Sequence, residues 1–174
     1  DGQVYVYVGT KTTTGNAVEK AGLAGGKLFG IKVGAGSALA QEVAATAAET
    51  GFALTNGIGD FSLVDLGDVK AKTGAELNTE SKAKFVTNFL RPEDGAWSLD
   101  GKTFYFVTTA TTTTNSRLWA LEFSDASNPE AGGKIKVLLD GSEGHMSLDN
   151  ITVANDGNIL LQEDPGGNAR LAKI

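Results

Sequence analysis

Short apolar runs, separated by Gly, Asp, Asn and Thr, recur along the whole chain and predict strands rather than long helices. Residues 4–8 and 27–33 predict two strands on either side of a long polar loop. Residues 61–66 alternate with period two, which is typical of a strand with one buried face. The Ala-rich stretch 37–50 fits either a helix or an irregular connection. Residues 78–86 predict a short helix capped by Thr79, with Lys82 and Lys84 on its exposed side.

One stretch of the chain appears twice. The first copy contains Trp97-Ser98-Leu99, Asp100-Gly101 and the apolar run 103–107, and the second contains Ile151-Thr152-Val153, Asp156-Gly157 and Ile159-Leu160-Leu161. The two Asp-Gly pairs lie 56 positions apart, and at that offset Glu93 corresponds to Asp149. Asp-Gly between apolar runs is a strong hairpin signal. Each unit therefore opens with a hairpin, and an acidic residue precedes both.

Further strands extend these units. Arg117 opens the run 117–123, Arg170 opens the final run, and residues 134–139 close the first unit. Repeats of about 50 residues built from short strands predict an all-β protein of the β-propeller class. Residues 1–174 then form a single partial domain of about three blades, and propellers need at least about four to close. Because two sheet edges would stay open, we expect the remaining propeller segment or a second chain as a partner.

Composition limits the function classes. The net charge of −6 argues against nucleic acid as a main partner, because binding phosphates requires clustered Lys and Arg. The chain has no cysteine, which excludes disulfides, Cys-type zinc sites and thiol nucleophiles within it. No apolar run approaches the roughly 18 residues of a membrane span. The opening Asp1-Gly2-Gln3 lacks an initiator Met, so we interpret the chain as a processed or excised piece.

The repeat also contains candidate metal-binding and phosphate-binding residues. First strands of neighbouring blades line one channel, so Glu93 and Asp149 are expected on neighbouring walls of its mouth. Carboxylates from several blades suit Ca²⁺, which takes 6–8 oxygen ligands. Arg91 would supply a two-donor fork for a phosphate. The alternative is that Glu93 and Asp94 are turn acids and Arg91 is a surface ion-pair partner. Glu163, before the Gly-rich loop, is either a further metal ligand or a loop acid.

His145 is the only histidine, so a zinc centre built on histidine is not expected. A triad of Ser147, His145 and Asp149 is conceivable from their closeness in sequence. Clustering of this kind is usually accidental, and we interpret His145 as a loop or packing residue. The threonine-rich run 108–114 predicts a solvated loop.

Three segments together resemble a family. Arg91-Pro92-Glu93-Asp94-Gly95 with Leu99-Asp100-Gly101-Lys102 and the run 104–109 resembles the bacterial PhoX-type alkaline phosphatases and their uncharacterised propeller relatives. The segment 148–151 with Asp156-Gly157-Asn158 and Glu163-Asp164 resembles that family's next blade, and residues 5–9 with 27–29 an earlier one. The resemblance spans most of the chain.

The resemblance implies a six-bladed propeller whose channel binds calcium and iron. It implies a hydrolase of phosphate monoesters that works outside the cytoplasm, secreted or periplasmic. On that likeness Arg91 contacts the phosphate, and Glu93 and Asp149 coordinate metal that polarises the phosphoryl oxygens. The chain would be the C-terminal portion of such an enzyme. The family's iron centre uses a cysteine thiolate, and this chain has none. The alternative is a non-catalytic, Ca²⁺-stabilised extracellular or surface propeller module.

Overall fold

The computed structural model describes residues 2–36, 39–42, 52 and 54–164, and the backbone of 170–173. The elements in chain order are β1 (Tyr5–Gly9), α1 (Ala17–Lys20), β2 (Gly26–Val33), β3 (Ile58–Gly67), α2 (Gly74–Ala83), β4 (Pro92–Trp97), β5 (Thr103–Thr108), β6 (Arg117–Phe123), a 3-10 turn (Pro129–Ala131), β7 (Gly133–Leu139), β8 (Leu148–Val153), β9 (Ile159–Glu163) and β10 (Arg170–Lys173). The prediction of an all-β protein is confirmed. Within the described ranges, no helix combines the length and apolar character needed to cross a bilayer.

The strands form two antiparallel sheets. The larger has seven strands in the order β1-β2-β3-β7-β6-β5-β4, and the smaller has the order β10-β9-β8. β3 joins the two halves of the larger sheet because its first part, Ile58–Phe61, pairs with β7, while Phe61–Gly67 pairs with β2. The sequence predicted the strands themselves but not this pairing between β3 and β7.

Two apolar cores hold the sheets in place. The first lies between the halves of the larger sheet, where Phe89 packs edge-on against Phe106 at 5.1 Å and against Trp119 at 5.9 Å between ring centroids. The second lies between β5, β6 and the smaller sheet and includes Val107 and Leu148. β5 thus buries Phe106 on one side and Val107 on the other, as alternation along a strand between two layers requires.

The sequence repeat is a structural repeat. β4 covers residues 92–97 and β8 covers 148–153, which are the same positions at the offset of 56. The Asp-Gly turns that follow are also equivalent, since Gly101 and Gly157 both adopt a positive φ, 69° and 84°. Glycine tolerates this conformation without steric cost. The first strands of the two units, β4 and β8, are edge strands of their sheets and lie side by side.

The helix prediction needs correction. α2 begins at Gly74 rather than near residue 78, and its N-cap is Thr73, not Thr79. Thr73 and Glu76 form a reciprocal capping box. Thr79 is an internal residue of α2, and its hydroxyl donates to the Ala75 carbonyl. A second capping box, between Asn16 and Glu19, builds the short α1 within the predicted loop. Most of the stretch 37–50 lies outside the described residues.

Candidate metal and phosphate site

The backbone enters β4 and β8 through the same strained conformation. Arg91 has a φ of 54° and Ser147, which is 56 positions later, has a φ of 53°. The carbonyl of Arg91 accepts from the Thr109 amide at 3.0 Å, and that of Ser147 accepts from the Asp164 amide at 2.9 Å. Left-handed backbone is costly for a residue with a side chain. Both units therefore impose the same entry angle on the strand that carries the acidic residue.

Both acidic segments lie on β-bulges. In β4 the register shifts between Pro92 and Gly95, the stretch that contains Glu93. In β8 it shifts between Leu148 and Asn150, on either side of Asp149. A bulge re-aims side chains that regular pairing would hold against the neighbouring strand. The two acids singled out from the sequence thus occupy equivalent irregular positions on adjacent strands.

Arg91 and Glu93 contact one another directly. The Nη2 atom of Arg91 lies 3.1 Å from Oε1 of Glu93, and the side chains are 49% and 34% exposed. An exposed ion pair of this kind contributes little to stability, about 0–1 kcal/mol. Either group can therefore exchange its partner for a ligand at small energetic cost.

Asp94, which the sequence analysis did not single out, links the two units. Its Oδ2 accepts from the Ile151 amide in β8 at 3.1 Å, and its Oδ1 accepts from the Gly95 amide at 2.8 Å. Asp149 is partly buried and accepts a hydrogen bond from the side chain of Asn150 at 2.8 Å. The Asp94 contact fixes how β4 and β8 lie against each other. No sequence signal distinguished it from an ordinary turn acid.

Glu163 lies at the end of β9 and is 5% exposed. Its Oε1 accepts from the Met146 amide at 3.1 Å and lies 2.9 Å from Nδ1 of His145. It pairs with Leu148, which precedes Asp149, so it belongs to the same end of the smaller sheet. Glu163 thus lies at the same end of the smaller sheet as the backbone of Asp149, and its carboxylate makes a structural contact with His145.

The structure does not assemble the conceivable triad. The acid beside His145 is Glu163 rather than Asp149, and the buried hydroxyl of Ser147 has no hydrogen-bond partner among the residues that the structure describes. A general base must reach the proton it removes, and this serine is not in such contact. The interpretation of His145 as a packing residue agrees with its partly buried position against Glu163.

A buried ion pair missed by the sequence analysis supports the entry to β4. Glu42 and Arg117 are 0% and 2% exposed and lie 2.8 Å apart. Glu42 also accepts from the Leu90 amide and from the Thr108 hydroxyl, both at 2.8 Å. Burial raises the pKa of Glu42, and these hydrogen bonds oppose that rise. Because Leu90 precedes Arg91, the buried carboxylate helps to fix the turn that presents Arg91.

A cleft of about 170 Å³ opens beside this turn, on the side of β4 that faces β1. Its polar lining consists of Gln3, Glu93 and Asp94, and its apolar lining includes Val4 and Phe104. Gln3 is held by hydrogen bonds from its amide to Asn78 and Asn88. The cleft gives small molecules access to the acids of β4.

The described acidic side chains have the right chemistry to bind a hard cation, but they are too few to complete its coordination. Glu93, Asp149 and Glu163 offer the oxygen ligands that Ca²⁺ prefers. Within the ranges that the structure describes, however, no three His, Cys, Asp or Glu side chains come together as a metal-binding group. Iron held by a thiolate does not fit this chain, since it contains no cysteine. Further calcium ligands would have to come from outside the described side chains.

Comparison with known proteins bears on the fold. No protein-family model matches the chain, and no curated protein does either. A solved structure, Pseudomonas fluorescens PhoX in complex with vanadate, a transition state analogue, is similar with a TM-score of 0.60. The sequences are 12% identical, and the similarity covers 99% of this chain and 40% of that one. The chain therefore shares the fold of part of PhoX.

Proposed function

We propose that the chain is the C-terminal portion of a PhoX-like, metal-dependent phosphomonoester hydrolase built on a β-propeller. The observation that carries the proposal is the repeated strand entry. Arg91 immediately precedes the bulge that carries Glu93, and the neighbouring strand has an equivalent bulge at Asp149. The likeness in fold to part of PhoX supports the same assignment.

In this proposal Arg91 and Glu93 are the catalytic residues, and Glu93, Asp149 and Glu163 are the metal ligands. The guanidinium of Arg91 binds the phosphate as a planar fork and releases Glu93 to the cation. Bound Ca²⁺ would polarise the phosphoryl oxygens and neutralise developing charge. Glu42 and Arg117 act indirectly by holding the backbone before Arg91. No role is assigned to iron, because this chain supplies no thiolate.

In the proposed propeller this chain contributes about three blades; β1–β7 form one continuous sheet through the pairing of β3 with β7, and β8–β10 form the next sheet. The remaining propeller segment or a second chain completes the ring. The chain spans 40% of the length of the PhoX structure that it matches, so the activity of a whole propeller belongs to this proposal. A phosphate-bearing small molecule is the expected substrate. A secreted or periplasmic location follows from the same resemblance.

A second candidate is a non-catalytic propeller module stabilised by Ca²⁺ at the surface or outside the cell. The absence of cysteine and the closed ion pair between Arg91 and Glu93 favour it, because both leave the scaffold intact without the iron chemistry. Both candidates need the carboxylates of Glu93 and Asp149. They differ in whether Arg91 acts on a phosphate.

The test is hydrolysis of 4-nitrophenyl phosphate by a complete propeller that contains this chain, because the proposal takes part of the ligand set from outside the chain, which alone should not be active. Ca²⁺ and iron are added or chelated in separate assays. We expect turnover that depends on Ca²⁺ and is lost in Arg91→Ala and Glu93→Gln. Lys134→Ala, which removes a surface lysine paired with exposed Asp60, is the control and should be active. Absence of turnover in every metal condition would overturn the phosphatase proposal and favour the non-catalytic module.

A further inference from the structure

Asp94 connects the strand segments that carry the two acids assigned above to one cation. It directly follows Glu93 in β4, and its Oδ2 accepts from the Ile151 amide in β8 at 3.1 Å. Ile151 is two residues beyond Asp149, which is at most about 7 Å of chain. A single side chain therefore joins the short segment that contains Glu93 to the short segment that contains Asp149.

The bulge in β4 makes this contact important for the orientation of Glu93. The register between β4 and β5 shifts between Pro92 and Gly95, and neither Glu93 nor Asp94 has a paired residue in β5. Residues in a bulge are not held by regular ladder hydrogen bonds. Asp94 restrains the bulge instead, because its Oδ1 accepts from the Gly95 amide at 2.8 Å while its Oδ2 bonds to β8.

β8 is held on both sides of Asp149, from two different parts of the larger sheet. On one side, the amide and carbonyl of Leu148 bond to hydroxyl groups of the loop between β5 and β6. On the other side, the Ile151 amide donates to Asp94. This second contact comes from the strand that carries Glu93. It therefore relates the position of Asp149 to that of Glu93.

We infer that Asp94 is a positioning residue of the proposed cation site, and that it sets the separation of the Glu93 and Asp149 carboxylates without itself binding the cation. This inference rests on the proposed function, since it needs both carboxylates as ligands of one Ca²⁺. Their separation matters because Ca–O distances span only about 2.3–2.6 Å. Each oxygen of Asp94 already accepts a backbone amide, which suits a positioning role.

The equivalent residue of the second unit is also engaged beside its acid. At the offset of 56 Asp94 corresponds to Asn150, whose side-chain amide donates to Oδ2 of Asp149 at 2.8 Å. The residue after Glu93 thus acts through the backbone of the neighbouring strand, and the residue after Asp149 contacts its carboxylate directly. Because Asn150 is uncharged, the repeated strand does not require a carboxylate at this position.

The experiment separates the acceptor role of Asp94 from its charge. Asp94→Ala removes both, whereas Asp94→Asn removes the charge and keeps an oxygen that can accept from the Ile151 amide. Asp125→Ala and Asp125→Asn are the matched controls, because Asp125 accepts from the amide and hydroxyl of Ser127 within one exposed turn. Ca²⁺ affinity is measured by calorimetry on a complete propeller that contains this chain, together with the urea midpoint of every variant.

The Ca²⁺ binding step that Glu93→Gln weakens defines the site. At that step Asp94→Ala should weaken binding at least about tenfold, as is typical when a residue that orients a metal ligand is removed. Asp94→Asn should weaken it less than about fivefold, the effect of losing a partly exposed charge. Neither Asp125 variant should change it. If Asp94→Ala does not fold, Asp94→Glu replaces it, because it keeps the charge but lengthens the connection to β8. Weaker binding in Asp94→Glu than in Asp94→Asn then supports the inference, and the reverse order overturns it.

Three results would overturn or limit the account in different ways. Equal weakening in Asp94→Ala and Asp94→Asn would show that the site uses the charge of Asp94, and the inference would fail. A lower urea midpoint in Asp94→Ala with unchanged Ca²⁺ affinity would show a purely structural role, so the inference would fail while the proposed site stands. If the natural propeller has no Ca²⁺ binding step that depends on Glu93, the proposed function fails and the inference fails with it.

Discussion

Arg91 and Ser147 adopt the same left-handed backbone conformation, with φ values of 54° and 53°, at positions 56 residues apart. Arg91 carries an exposed guanidinium, and Ser147 a buried hydroxyl that bonds to none of the described residues. The conformation therefore belongs to the entry of the repeated strand and not to the chemistry of either side chain. Only the first copy uses this position to present a charged group.

The orphan hydroxyl of Ser147 predicts an unusual mutational result. Ser147→Ala removes a buried polar atom that makes no hydrogen bond within the described part of the chain, so the free energy of unfolding should stay the same or rise. Ser116→Ala makes the same change at a serine whose hydroxyl donates to the Thr109 carbonyl and accepts from the Leu148 amide. It should cost about 1–3 kcal/mol because buried partners lose their bonds. Urea unfolding of both variants checks this, and equal losses would contradict it.

The buried pair of Glu42 and Arg117 is expected to be essential for stability. Glu42→Ala removes the carboxylate that contacts the buried guanidinium of Arg117 and should lower the free energy of unfolding by about 3–5 kcal/mol. Lys134→Ala breaks an exposed pair with Asp60 and should change it little. Chemical denaturation of the two variants gives the comparison. If Glu42→Ala lowered the free energy of unfolding as little as the control does, the buried pair would not be essential for stability.

The two equivalent turn acids predict a shared pH dependence. The Ser98 hydroxyl and then the Lys102 amide lower the pKa of Asp100, and the backbone amide and then the side chain of Asn158 lower the pKa of Asp156. A lowered pKa contributes stability that is present above the unfolded value of 3.8 and is lost as the pH falls through the folded value. Asp100→Asn and Asp156→Asn should therefore be less stable than the natural chain at pH 7.

The difference between these variants and the natural chain should shrink as the pH falls below 3.8. Urea midpoints measured across that range provide the test. A gap that stays constant or widens on acidification would mean that the turns are stabilised by something other than the ionised carboxylates.

The sequence predicted the strands and their repeat because both depend on local patterns. Asp-Gly turns and alternating apolar residues are encoded within a few positions, so the equivalence of β4 and β8 is visible in the sequence itself. The pairing of β3 with β7 could not be predicted, since it depends on how the two halves of the larger sheet pack. The predicted start of α2 near residue 78 is wrong because the reciprocal capping box of Thr73 and Glu76, and not Thr79, begins the helix.

One part of the candidate site could likewise be predicted from the sequence, and another part could not. The closeness of Arg91 and Glu93 follows from their spacing of two residues, and the contact is present. Glu42 gave no signal, because its partners lie 48 and 75 positions away along the chain. Asp94 likewise shows its linking role only through the Ile151 amide, 57 positions further on. Long-range polar contacts of this kind have no sequence pattern of their own.

The central claim is that Glu93 and Asp149 share one cation. Calorimetric titration of Ca²⁺ into the chain, Glu93→Gln, Asp149→Asn and the double variant tests it most directly, with the exposed turn variant Asp125→Asn as control. The account predicts that each single substitution weakens Ca²⁺ binding at least about tenfold, and that the double variant loses little more, because residues of one site are not additive. Unchanged binding in either single variant, or no binding by the natural chain, would contradict it.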